Sequence, residues 1–146
     1  MYRGRTVSLS FPPFTFWMKR IVLACAAMYL VSTLLQISGT KAGAYLAIYL
    51  GLVPELVVRH GMVWQLASYS LMHAGLWHLL MNMLTLWMFG AQEEMDWGSR
   101  KFLEFYLFCV VGAAVLTVAV AYLHIGVSPD IPTLGASGGV YGVLVA

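Results

Sequence analysis

The sequence predicts an all-α, polytopic transmembrane helical bundle. Three observations predict it. Hydrophobic residues make up 61% of the chain and charged residues 10%, against about half and about a quarter in soluble domains. So few charges cannot cover a water-soluble fold. The apolar residues fall in long uninterrupted runs rather than the alternation of strands. Inside those runs stand single His, Asn and Ser residues, whose polarity requires a bundle interior rather than lipid. A net charge of +2 with no basic patch interleaved with aromatics gives no footing for nucleic acid. The expected surroundings are the lipid bilayer.

Residues 1–20 read as a cytoplasmic N-terminal segment, and residues 21–146 as the membrane domain. The first apolar run, Ile21 to Ile37, sits at the lower edge of the ~17–25 residues a spanning helix needs. Ala42-Gly43-Ala44 imitates a cleavage site. The run nevertheless exceeds the ~7–15-residue apolar core of a signal peptide, and further spans follow it. From Ser38 to about Ser70 the chain is apolar but broken by Gly51, Pro54, Glu55 and Arg59. Such a segment should lie partly in the membrane interface. An apolar span lies within Leu71 to Gln92, where a second helix is expected over about 75–95, and a third is expected over about 102–124. A fourth begins near Ala136, and residues 136–146 cover about half of a ~30 Å hydrocarbon core at ~1.5 Å per residue. It is therefore expected to be the first part of a helix that continues beyond Ala146.

The basic residues give an orientation. With a cytoplasmic N-terminus, Arg3, Arg5, Lys19, Arg20, Arg100 and Lys101 lie inside, and only Lys41 and Arg59 outside. Trp17 and Trp97 then fall at the cytoplasmic interface. Cys25 and Cys109 lie in apolar runs and read as packing residues. No set of side chains has metal-ligand spacing, so no metal is expected.

His78 and Asn82 are ~40° apart around a helix, on one face. Alone, either would read as a hydrogen-bonding contact between membrane helices. Together they supply two donors to one interior, as an oxyanion site requires. His73, ~140° from His78 on a helical wheel, is expected where the loop enters the helix, bonded to nearby backbone.

The third motif is "PTLGASGGVYG", residues 132–142. Gly135-Ala136-Ser137-Gly138-Gly139 formally matches the G-x-S-x-G elbow of soluble hydrolases, but no strand precedes it. A second reading is helix packing, with Gly135/Gly139 and Gly138/Gly142 as small-xxx-small pairs. A third is a nucleophile: the start of a helix offers unused N–H groups to negative charge, and Ser137 stands beside them.

These residues resemble the rhomboid intramembrane serine proteases. The resemblance rests on "HAGLWHLLMN" from His73 to Asn82 and on "GASGGVYG" around Ser137, with support from "EMDWG" (Glu94 to Gly98) and "SRKFLEFYL". It runs over the whole chain from the first span onward. It implies a six-helix core, of which this chain carries the first four helices, with Ser137 as nucleophile and a histidine on the sixth helix as base. It also implies that His78, Asn82 and the Ser137 N–H stabilise the oxyanion, with Gly135 and Gly138 forming the surrounding backbone. Tyr141 would stack on the catalytic histidine, His73 would brace the long loop, and Glu94 with Gly98 would secure the cytoplasmic connection between helices two and three. One departure is Trp64-Gln65 where the family often has Trp-Arg, which removes a guanidinium from the loop's internal pairing.

The expected function is intramembrane endopeptidase activity on peptide bonds in or near transmembrane segments of other membrane proteins, in a bacterial plasma membrane. The chain by itself, without the base, is expected to be inactive. Two alternatives remain at this point: a rhomboid-like pseudoprotease that binds transmembrane helices without cutting them, and an assembly protein whose glycines serve only helix contact.

Overall fold

A carboxylate distant in sequence decides where the first helix begins. In the computed structural model, which describes residues 11–123, 125–126 and 128–146, α1 spans Phe16–Ile37. Arg3 and Arg5, invoked above, and residue 124, the expected end of the third helix, lie outside the described residues. Glu94 accepts the backbone N–H of Trp17 at 3.0 Å and of Met18 at 3.1 Å, together with the Thr15 hydroxyl. First-turn N–H groups have no intrahelical acceptor, and a negative charge there also interacts favourably with the positive end of the helix dipole. The helix therefore starts ahead of the apolar run and takes Lys19 and Arg20 into its first turns.

The long connection is more helical than the breaks at Gly51 and Pro54 suggest. It folds into α2 (Ala42–Leu50), α3 (Pro54–His60), α4 (Gln65–Ser68) and a 3-10 turn at Tyr69–Leu71. Gln65 holds these pieces together: its Oε1 accepts the Val53 N–H at 2.9 Å, and its Nε2 donates to the Ile48 carbonyl at 2.8 Å. The loop's internal pairing, for which the sequence offered no guanidinium, is supplied by a carboxamide.

The second long helical column is contiguous from Leu76 to Trp97: α5 (Leu76–Thr85), a π-helical turn (Leu86–Gly90) and α6 (Ala91–Trp97). A side chain on Gly90 would meet Met18 Cε at 2.7 Å and the Phe102 ring at 3.2 Å, so this turn lets three helices approach closely. Trp87 stacks on Phe14 at 5.0 Å between ring centroids, and its Nε1 donates to the Pro12 carbonyl. Gly98, at φ +84°, makes the break into α7 (Ser99–Tyr122), in a backbone region that non-glycine residues avoid. The last element is α8 (Ser137–Leu144). An isolated antiparallel bridge joins Leu52 to Thr133.

The helices bury narrow stripes. On α1 these are Met18, Ile21, Cys25 and Ser32; on α7 they are Phe102, Tyr106, Val110, Ala114 and Ala121. The remaining faces are apolar yet exposed, with Leu23, Leu30, Phe108 and Leu116 among them. α1 and α7 are both long and apolar enough to cross a membrane. Packing between apolar helices in lipid gains little from the hydrophobic effect and rests on close contact. That explains why α8 lies on α7 through glycines.

Candidate active site

Ser137 opens α8, and the turn before it is held from two sides. Leu52 and Thr133 exchange N–H···O bonds of 3.0 and 2.8 Å, and the Gly135 N–H donates to the Tyr69 carbonyl at 3.0 Å. Tyr69 is itself fixed by its hydroxyl, which donates to the Val110 carbonyl at 2.8 Å. Gly135 has φ +128°. The first backbone bond into the helix runs from Val140 to Ala136. The N–H groups of Ser137, Gly138 and Gly139 thus precede the intrahelical ladder.

The packing reading of the glycines holds in part. Added Cβ atoms on Gly138, Gly139 and Gly142 would collide with Ala113, with Tyr106 and Val110, and with Cys109, all on α7. Gly135 does not pair with Gly139 on a helix face, because it precedes the helix. Its neighbour is His78 on α5: a Cβ on Gly135 would lie 2.8 Å from His78 Nε2 and 3.8 Å from Ser137 Oγ. The imidazole and the hydroxyl are therefore no further apart than the sum of those distances.

His78 and Asn82 sit one turn apart on α5. Asn82 is buried, and its Nδ2 donates to the His78 carbonyl at 2.8 Å. One of its two N–H groups is thereby committed and the side chain is fixed, leaving the other N–H for a ligand. His78, Asn82, Ser137 and Tyr141 line one cavity of about 300 Å³, with Met81 and Thr85 completing the α5 wall. Met81 and Thr85 share the spacing of His78 and Asn82, so the helical period could have located them. The Tyr141 side chain is exposed.

His73 is not on the α5 helix at all. It lies in the connection ahead of Leu76, outside the long helices, and its ring meets His78 edge-on at 5.2 Å. Its Nδ1 is 3.4 Å from the Leu71 carbonyl, and the residue is 4% exposed. Burial pushes its pKa down to about 4, with the Leu71 carbonyl opposing and the proximity of His78 adding a smaller push. His73 is thus neutral at neutral pH. Glu94 stands apart from the cavity. It accepts the Ser99 hydroxyl at 2.6 Å as well as the start of α1, so it ties three helices rather than two. Tyr69, Thr133 and Leu52 carry no signal in periodicity or spacing, because their part is played by backbone groups.

The arrangement brings a hydroxyl at a helix start and two polar side chains from another helix to one small cavity, next to a first helical turn whose N–H groups precede the intrahelical ladder. Such a site can receive a carbonyl and the negative charge formed on its oxygen.

Residues 60–146 match the family model for the Rhomboid domain. The chain is 32% identical over 135 residues to "Rhomboid protease GluP" of Bacillus subtilis, covering 92% of this chain and 24% of that protein. It is 36% identical over 94 residues to "RHOMBOID-like protein 4" of Arabidopsis thaliana, covering 64% of this chain and 22% of the other. To "Rhomboid protein 1, mitochondrial" of Saccharomyces cerevisiae it is 34% identical over 76 residues, covering 49% of this chain and 20% of that protein. The chain spans about a quarter or less of the length of these relatives.

Proposed function

Because this chain belongs to the rhomboid family of helical membrane proteins, we propose that it carries the nucleophile and oxyanion half of an intramembrane serine endopeptidase. One observation supports this reading above the others: Ser137 on α8 and His78 with Asn82 on α5 line the same cavity. Scaffolding alone would call for the glycines but not for these three side chains.

In the proposed mechanism the Ser137 hydroxyl attacks a peptide carbonyl of a transmembrane substrate. A serine is a weak nucleophile without a base, and its proton passes to a histidine supplied by helices beyond these, against which Tyr141 stacks. The carbonyl oxygen becomes an oxyanion that accepts hydrogen bonds from His78, the free Asn82 N–H and the Ser137 N–H. The histidine then protonates the leaving amine, and water releases the acyl group from Ser137. A substrate helix must unwind to present a carbonyl, since its backbone groups are otherwise paired internally. Substrates with small or helix-breaking residues near the cut are therefore favoured. The mechanism draws on no metal or organic cofactor.

Glu94 supports a proposed orientation. By bonding both Trp17 and Ser99, it brings the starts of α1 and α7 to one side of the bundle. Lys19, Arg20, Arg100 and Lys101 cluster there, which favours that side as cytoplasmic.

The test is fluorophosphonate labelling and substrate cleavage by the complete gene product in membranes. Ser137→Ala should abolish both without affecting insertion. His78→Ala and Asn82→Ala should each lower kcat by about 10²–10³-fold. Absence of Ser137-dependent labelling would overturn the enzymatic reading in favour of a pseudoprotease that binds transmembrane helices.

A further inference from the structure

We infer that Gln65 is a positioning residue for the serine turn, acting through the Leu52–Thr133 bridge. The inference rests on the proposed role of Ser137 for its catalytic consequence but not for its geometry. Gln65 is 0% exposed. Its carboxamide joins the end of α2, at Ile48, to Val53, and so clamps the bend at Gly51 and Leu52 between them. That bend is what the serine segment is built on. Leu52, also 0% exposed, exchanges both its backbone bonds with Thr133. A Cβ on Gly51 would meet Leu134 Cδ2 at 2.7 Å and Pro132 Cβ at 3.3 Å, and the Glu55 N–H donates to the Pro129 carbonyl at 2.9 Å. The helix that Gln65 opens leads directly into Tyr69, whose carbonyl holds Gly135. The turn just ahead of Ser137 is therefore held at Thr133 through the bend that this side chain clamps, and at Gly135 through the end of the helix that carries it.

The chemistry of the site selects glutamine. It needs an acceptor for the Val53 N–H and a donor for the Ile48 carbonyl on one short side chain. A carboxamide supplies both, whereas a guanidinium has donors only. An arginine here would leave the Val53 N–H without its partner in a closed site. Gln65 is thus a built part of this loop rather than a weakened arginine.

The experiment compares Gln65→Met, which keeps the length and removes the paired bonds, and Gln65→Arg with the unaltered complete gene product. Amide hydrogen exchange is read at Leu52, Val53, Thr133 and Gly135, and fluorophosphonate labelling at Ser137. Exchange should rise at all four positions in both variants, and labelling should slow by about tenfold or more, the scale at which small misplacements act. A rescue separates positioning from loss of fold. Leu52 and Thr133 exchange two bonds, a pairing with Cα atoms about 5.5 Å apart, within the about 4.4–6.8 Å range of disulfides. In a Gln65→Met background, Leu52→Cys with Thr133→Cys should label faster oxidised than reduced, while Gln65→Met alone should not respond to oxidation. Faster exchange confined to residues 48–53, with Thr133, Gly135 and labelling unchanged, overturns the inference. If exchange couples as expected but the unaltered protein shows no Ser137-dependent labelling, the positioning from Gln65 to Gly135 is supported and the nucleophile assignment alone is lost.

Discussion

The ring of His78 occupies the space that a side chain on Gly135 would need. A Cβ built there lies 2.7 Å from His78 Cε1 and 2.8 Å from Nε2. This contact couples α5 to the turn that presents Ser137, and it gives that glycine two independent reasons: its positive φ and the proximity of the imidazole.

Gly135→Ala should therefore impair the site without dissolving the bundle. A non-glycine residue in such backbone costs about 1–3 kcal/mol, and the methyl must displace His78. Labelling of Ser137 should fall by about 10–10²-fold, with helix content by circular dichroism and membrane insertion unchanged. Wild-type labelling in this variant would show that the contact is dispensable.

Glu94 should be a stability residue rather than a chemical one. Glu94→Ala leaves the N–H groups of Trp17 and Met18 and the Thr15 and Ser99 hydroxyls without their acceptor. Each such loss costs about 1–3 kcal/mol when the group stays buried. A loss of at least about 2 kcal/mol is expected in reversible unfolding in micelles. Glu94→Gln, which keeps one acceptor oxygen, should lose less.

Two glycine substitutions should separate packing from helix propensity. A Cβ on Gly139 meets Val110 Cγ2 at 2.8 Å and the Tyr106 ring more closely still, whereas a Cβ on Gly112 of α7 meets nothing within 4 Å. Gly139→Ala should destabilise by about 1–3 kcal/mol through overpacking. Gly112→Ala should be neutral or slightly stabilising. Equal effects on the unfolding midpoint would contradict the α7–α8 packing described above.

His73 sets a pH dependence. Its imidazole charges near pH 6.5 in an unfolded chain but only at about 4 in the fold, chiefly because of burial. The neutral form is the one the fold accommodates, so this contribution to stability is complete above pH 6.5. It is lost progressively as pH falls from 6.5 toward 4. Thermal unfolding in detergent should show that decline, and a His73→Gln variant should show a smaller one.

Much of the site was legible in the sequence because its chemistry lives in side chains at helical spacing. His78 and Asn82 fall on one face of α5 by period alone, and Ser137 is marked by the glycines around it. The rest was not legible. His73 was legible as a loop-entry residue but its contact with the His78 ring was not, because the helix starts at Leu76 and the wheel does not reach residue 73. Glu94 gave no sign that it caps α1, since that contact joins residues on separate helices. Gln65 read as a missing arginine, and only its two bonds show that a carboxamide suits its place.

The sequence by itself determined the solvent, the class of fold and the residue types that could do chemistry, because composition and period act locally and sum along the chain. Tertiary structure alone decided which of those residues meet. The bend at Leu52, the carbonyl of Tyr69 and the ring of His78 come from separate segments, and it is their backbone hydrogen bonds and contacts, which no side-chain pattern encodes, that set the turn before Ser137.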